Sequence, residues 1–177
     1  MYDAVVIGAG PAGNSAALNL ALLGHTVAVL DERHDIGNKL CTGIVGPECV
    51  ARFPPQSGHI LHKALTATII SPDYFSYRIV RSHPQAFVLD RANYVASFAN
   101  MAIENGANYI LGNKVYEMDI NEEMVSVHLD DKGTRRRYDA KIAIMATGFS
   151  SPLMDKVGLG RRSSDNDFLI GSQAEVE

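Results

Sequence analysis

Residues 4–31 leave the chain few ways to fold. Ala4–Ile7 is a continuous apolar run rich in β-branched side chains, the pattern of a strand buried on both faces. Gly8-Ala9-Gly10-Pro11-Ala12-Gly13 interrupts it. Small and apolar residues then run to Leu23, where Gly24 stops the helix they predict, with Pro11 accommodated in its first turn. Thr26–Leu30 reads as a second strand and ends at Asp31. A β–α–β unit with such tight connections has parallel strands and a right-handed crossover.

The glycine spacing fits G-x-G-x-x-G, a weak signal alone that gains force from the strand before it, the helix opening on it and the acid closing the next strand. Gly8 permits the tight turn, Gly10 lets backbone approach a pyrophosphate, and Gly13 lets the helix lie close to the sheet. The helix N-terminus offers unsatisfied N–H groups and a positive dipole end to phosphates. Asp31 accepts from ribose hydroxyls and repels a 2′-phosphate. Cofactor contacts are therefore expected at Gly8, Gly10, Pro11, Ala12, Gly13 and Asp31, with Glu32 and Arg33 beside them.

Composition narrows the class. The chain has 177 residues, 46% of them hydrophobic and 20% charged, which suits one globular domain with a sizeable core. A net charge of −4 argues against non-specific nucleic-acid binding. Two cysteines, Cys41 and Cys49, imply no disulfide framework and favour a reducing, cytoplasmic setting. The apolar N-terminus lacks the basic region and cleavage site of a signal peptide. The longest apolar stretch, Ala16 to Leu23, is broken by Asn19 and falls well short of the ~20 residues that cross a bilayer. Docking on a membrane surface stays open.

Further along, Glu32 to Pro55 has no clean period and reads as a long loop with a short helix near Glu48–Arg52. Ala67–Ser71 and Ser76–Val80 are expected to be strands joined through Pro72 and Asp73, with Phe87–Leu89 a short third. Arg91–Asn105 is an amphipathic helix closed by Gly106, followed by a strand at Asn108–Leu111. Lys114–Ile120, Met124–Leu129 and Thr134–Asp139 read as a meander, and Lys141–Met145 as a separate buried strand ending in Ala146-Thr147-Gly148. A strand is also expected from Phe168–Ile170 through Ala174–Glu177.

The fingerprint alone accepts FAD or NAD. Three features resemble flavoproteins: Arg33 two residues after Asp31, the Ala146-Thr147-Gly148 strand end, and a β-meander crossover instead of helices. At greater length the chain resembles the geranylgeranyl reductase family. The resemblance rests on Gly8–Gly13, Asp31-Glu32-Arg33 with Ile36-Gly37, and Leu40-Cys41-Thr42-Gly43-Ile44. Ser71-Pro72-Asp73, Val88-Leu89-Asp90-Arg91 and Ala146-Thr147-Gly148 with Ser150 and Gly158-Leu159 complete it. It covers essentially all 177 residues, as the front portion of a longer protein.

That resemblance implies an α/β fold: a Rossmann-like parallel sheet ordered Asn108–Leu111, Thr26–Leu30, Ala4–Ile7, Lys141–Met145, a three-stranded meander over one face, and residues 65–90 as the start of a β-rich substrate domain. It implies FAD contacts at Ala12, Asp31, Cys41, Thr42, Arg91 and Val115, with Ala146, Thr147 and Gly148 passing near the dinucleotide. Cys41 is also a candidate redox or catalytic thiol, beside the plainer reading of a small residue near flavin. The implied activity is reduction of prenyl-lipid C=C bonds, fed by an external electron donor. A flavin monooxygenase and an FAD-binding fragment without turnover are the alternatives. The sequence departs from the family where Asp31 replaces the commoner Glu and Val95 an Asp. Thr147 stands where hydroxylases carry an Asp, and the Gly-Asp motif that closes such sites would follow Glu177.

Other constellations carry less. His59 and His62 lack the further ligands a zinc site needs. Arg135-Arg136-Arg137 faces Asp130-Asp131 across a hairpin, which a solvated cross-strand pairing explains.

Overall fold

A computed structural model describes residues 1–39, 41–131, 133–149 and 151–160. The strand expected between Phe168 and Glu177, and the motif positions Leu40 and Ser150, lie outside the described residues. Among the described residues two units emerge: Met1–Asn38 with 95–160, and Lys39–Tyr94.

In the first unit, β1 (Tyr2–Ile7), α1 (Pro11–Leu22) and β2 (Val27–Asp31) form the βαβ start. The second unit holds β3 (Ile44–Val45), α2 (Pro47–Arg52), β4 (Ile60–Ala64), β5 (Thr66–Ile70), β6 (Ser76–Val80) and β7 (Ala86–Leu89). Helix α3 (Arg91–Glu104) leads back to β8 (Asn108–Leu111), β9 (Lys114–Ile120), β10 (Val125–Asp131), β11 (Thr134–Met145) and α4 (Pro152–Lys156).

The first unit is built on one six-stranded sheet ordered β8-β2-β1-β11-β10-β9. The parallel order expected from sequence is found: β8, β2, β1 and the end of β11. One expectation needs correction. Thr134–Asp139 and Lys141–Met145 are not separate strands but the two ends of the 12-residue β11. Its first half pairs antiparallel with β10, and from Ala140 onward it pairs parallel with β1. Asp139-Ala140 looked like a break because the hydrophobic pattern changes there, as the strand passes from a sheet with one wet face to one covered on both sides.

Side-chain alternation along β1 and β2 separates two cores. Val5, Ile7, Ala28 and Leu30 pack against Val125, Val127 and Leu129, so the meander does cover one face. Val6, Val27 and Val29 point the other way, into Ala17, Leu18 and Ala21 of α1 and Ala102 of α3. The result is three layers with the parallel strands in the middle. All four of Val5, Val6, Val29 and Val127 are fully buried.

In the second unit, β3-β7-β4 form a small antiparallel sheet and β5-β6 a two-stranded ribbon. The loop reading of 32–55 missed β3, whose two residues pair with Phe87 and Val88 of β7. A strand that short leaves no periodicity to read. The ribbon is exposed along both strands. Ala67, Ile69, Tyr77 and Ile79 lie on one face through the pairs Ala67↔Ile79 and Ile69↔Tyr77. Among the described residues nothing buries that apolar face, and Tyr77 remains 65% exposed. Exposed apolar patches promote association. Ile69→Lys with Tyr77→Lys is therefore expected to reduce concentration-dependent light scattering while shifting the urea midpoint little, because exposed substitutions change stability by only about 0.5 kcal/mol. An undiminished scattering signal would clear the ribbon of this role.

Candidate functional site

Gly8 turns the chain out of β1 with φ +110°, a region L side chains rarely adopt. Its N–H donates to the Leu30 carbonyl at 2.8 Å. A Cβ on Gly8 would run into the Ala146 carbonyl oxygen, and one on Gly13 into the Gly8 carbonyl oxygen. Ala146 in turn is held to β1 by its N–H, which donates to Ile7 O at 2.9 Å. Gly8 and Gly13 of the glycine motif and Ala146 of the later strand end thus meet at the end of β1. Gly10 differs, since a Cβ there would meet nothing within 4 Å. Open space lies before the glycine whose backbone is expected to face a pyrophosphate.

Helix α1 begins at Pro11, without a side-chain cap and without an acid in its first turn. Asn14 N–H donates to Gly10 O at 2.9 Å, which makes it the first helical bond. The Ala12 and Gly13 N–H groups precede that bond and, with the dipole, are left to an anion.

Asp31 sits at the end of β2, half-buried, opposite Leu111. One carboxylate oxygen accepts from Ala9 N–H at 2.6 Å and the other from Arg33 N–H at 2.8 Å. Each oxygen keeps a lone pair for a ribose hydroxyl. Glu32 is exposed and 4.0 Å from Lys114, a pair that contributes little by itself. The Arg33 carbonyl accepts from Gly112 N–H at 2.9 Å, and the Asp31 carbonyl from Asn113 N–H at 3.1 Å. The turn after β8 is thereby fastened to the acid's loop, and Val115 follows it as a half-buried residue on the meander core. Thr147 is half-buried and Gly148 exposed at the end of β11, Gly148 with φ +78°.

Cys41, Thr42 and Arg91 belong to the second unit. Cys41 is exposed and forms no disulfide. Thr42 Oγ1 accepts from Ile44 N–H at 3.4 Å, a long bond that shapes the entry to β3. Arg91 opens α3 and donates from Nη1 to Lys39 O at 2.7 Å. Asp90 caps that helix: its carboxylate accepts from Asn93 N–H at 3.2 Å and from Asn93 Nδ2 at 2.6 Å. Those bonds, the side-chain one first, hold the Asp90 carboxyl below the usual range. The arginine run lies across the hairpin from the acidic pair, in the register expected. Arg135 stands opposite Asp130, but Asp130 Oδ1 accepts from Gly133 N–H, and Arg137 Nε donates to Asp139 on its own strand at 2.6 Å.

Sequence reasoning passed over Asn14. It is fully buried, donates from Nδ2 to Ala9 O at 3.1 Å and Val95 O at 3.2 Å, and accepts from Tyr109 OH at 3.0 Å. The available signal was its position: Asn14, Ala17, Leu18 and Ala21 share the buried face of α1, where an apolar residue is the rule. Burial also pushes the Tyr109 phenol well above its ordinary pKa.

The two kinds of glycine separate experimentally. Gly13→Ala is expected to destabilise the protein by about 1–3 kcal/mol through overpacking, read in the urea midpoint. Gly10→Ala is expected to shift stability by only about 0.5 kcal/mol yet to weaken nucleotide binding. Equal effects of the two on stability would contradict the geometry.

Comparison with known proteins places the chain in a family. A family model described as pyridine nucleotide-disulphide oxidoreductase matches residues 2–173. Digeranylgeranylglycerophospholipid reductase 1 of Methanosphaera stadtmanae is 32% identical over 169 residues, covering 93% of this chain and 42% of that protein. A geranylgeranyl bacteriochlorophyll reductase-like protein of Thermoplasma acidophilum superposes with a TM-score of 0.78 at 22% identity, over 89% of this chain and 42% of the other. The halogenase PltM, solved with phloroglucinol and FAD, gives 0.67 at 20% identity, over 89% and 36%. At those identities the two structures speak for the fold alone. The chain spans less than half the length of each of these relatives.

Proposed function

As a member of the pyridine nucleotide-disulphide oxidoreductase family, the chain carries the FAD-binding part of an oxidoreductase, and we propose that this oxidoreductase reduces C=C bonds of prenyl lipids. FAD is the cofactor. The carrying observation is the glycine turn, where Gly8 and Gly13 pack without side chains while Gly10 faces open space beside an uncapped helix N-terminus. That cradle fits a pyrophosphate. Asp31 supplies acceptors for the adenosine ribose, and the Ala12 and Gly13 N–H groups bind the phosphates. Val115, Ala146, Thr147 and Gly148 contribute backbone beside the dinucleotide. The proposal also carries Cys41, Thr42 and Arg91 as flavin contacts, on the family resemblance.

When bound and reduced, FAD would supply the hydride for one alkene carbon, with a proton from solvent or a side chain completing the addition at the other. The protein's share is to orient cofactor and substrate and to keep water and oxygen from the reacting atoms. The prenyl-lipid reading is supported by the reductase named among the relatives, at 32% identity. Disulphide chemistry, which the family description mentions, has little support here: Cys41 and Cys49 are not joined in a disulfide. A lipid substrate calls for approach to a membrane surface, and an external donor must reload the flavin; both belong to the proposal. No helix among the described residues is long and apolar enough to cross a membrane.

Asp31→Ala removes a charged acceptor and should weaken FAD binding by roughly 10- to 150-fold, equivalent to ~1.5–3 kcal/mol, measured by flavin fluorescence. An unchanged dissociation constant would take Asp31 out of the site. For the activity, the FAD-loaded protein is reduced anaerobically with dithionite and incubated with geranylgeranyl lipids. Mass spectrometry should find products heavier by pairs of hydrogens. Products that form only in air and carry an added oxygen would establish a monooxygenase instead. FAD binding without any product would mark the chain as a cofactor-binding module.

A further inference from the structure

The backbone of Ala9, between the first two glycines of the turn, is held at both its N–H and its C=O, so the peptide groups on either side of it are fixed. Its N–H donates to Asp31 Oδ2 at 2.6 Å, and its carbonyl accepts from Asn14 Nδ2 at 3.1 Å. Asn14 is anchored in its turn. Its second N–H reaches Val95 O in α3 at 3.2 Å, and Tyr109 OH in β8 donates to its Oδ1 at 3.0 Å. A single amide with 0% exposure therefore ties the turn to α3 and to the outer strand of the parallel sheet.

Packing does not call for an asparagine here. The residues that share its face of α1 are Ala17, Leu18 and Ala21, all apolar and buried. Asparagine is also a poorer helix former than alanine or leucine, and a buried amide is tolerable only when its hydrogen bonds are made. What the amide supplies is direction. Glycine-rich backbone has many accessible conformations, so a turn flanked by Gly8 and Gly10 does not hold its N–H groups in one orientation unaided. Asp31 fixes the Ala9 backbone at its N–H and Asn14 at its C=O.

Building on the FAD site proposed above, we infer that Asn14 is a positioning residue for the cofactor: its amide, braced by Tyr109 and Val95, orients the Ala9 backbone and so pre-sets the phosphate-binding turn before the nucleotide arrives. Such preorganisation lowers the ordering cost of binding. The effect acts on the pyrophosphate end of the ligand, so it extends to ADP, which lacks the flavin.

The test uses Asn14→Ala, Tyr109→Phe and the double variant, each first shown by circular dichroism to be folded at the assay temperature. FAD binding is followed by flavin fluorescence, and ADP binding by competition. Asn14→Ala should raise both dissociation constants about tenfold, close to 1.4 kcal/mol. Tyr109→Phe, which removes one brace but leaves the bond to Ala9, should raise them about threefold, and the double variant should be no weaker than Asn14→Ala, since the two act through one network. Amide hydrogen exchange of the nucleotide-free protein supplies the readout that a merely structural role would not move. In Asn14→Ala the Ala9 amide should exchange faster while the Val5 and Val6 amides of β1 keep their protection.

A folded Asn14→Ala that binds FAD and ADP within twofold of the parent overturns the inference, as does Ala9 exchange that rises only in step with Val5 and Val6. If Asn14→Ala does not fold, Tyr109→Phe decides by the same two measurements, and unchanged affinity and exchange there overturn the inference. Failure of the parent protein to bind FAD defeats the function proposed above; the Ala9 exchange comparison then still decides whether Asn14 clamps the turn.

Discussion

Where a side chain on Gly13 would be, the carbonyl of Gly8 already sits, and where one on Gly8 would be, the carbonyl of Ala146 sits. These two close approaches let α1 start directly at the end of β1 and bring the end of β11 beside both. A methyl at either place would push the helix off the sheet and open the layer that Val6, Val27 and Val29 share with Ala17, Leu18 and Ala21. The architecture of the first unit and the mouth of its site follow from the same missing atoms. Gly10, by contrast, has open surroundings, so no packing within the described residues calls for a glycine there.

Around that turn the polar groups are accounted for in a way that leaves a vacancy of one sign. The Ala9 N–H and C=O are engaged by Asp31 and Asn14. The Gly8 N–H is engaged by Leu30. The first-turn donors of α1 have neither a side-chain cap nor a nearby acid on their own helix. The turn is thus stiff where it faces the protein and electropositive where it faces out, which suits a diphosphate. Asp31 bonds the turn through Ala9 N–H and its own loop through Arg33 N–H. In the proposed site its remaining lone pairs would accept from a sugar.

The fold does not choose the reaction. A reductase-like protein and a halogenase superpose on this chain with TM-scores of 0.78 and 0.67, and all that must be common to them is the scaffold. Dinucleotide binding draws on backbone geometry, which many chemistries share. Substrate choice depends instead on particular side chains. In the second unit Ile69 and Tyr77 present an apolar face that nothing among the described residues buries.

Local rules made most of the first unit legible in advance. Gly8 to Gly13 between two apolar runs, with Asp31 after them, admits few physical solutions, and β1, α1, β2, α3 and β8 lie within a residue or two of where periodicity and stop signals place them. The strand order followed as well, since parallel connections have a fixed hand. Other features depended on pairings between residues distant in sequence. The continuity of β11 across Ala140 needed β1 and β10 as simultaneous neighbours, and β3 exists only because Phe87 and Val88 complete it. Asn14 went unread because its partners Ala9, Val95 and Tyr109 converge on it from 5, 81 and 95 residues away. Sequence by itself determined where backbone could bend and which faces must be dry, because those are properties of each residue and its near neighbours. Only the tertiary structure decided which buried polar atoms would be satisfied, and by whom, because a hydrogen bond depends on where the chain brings its partner.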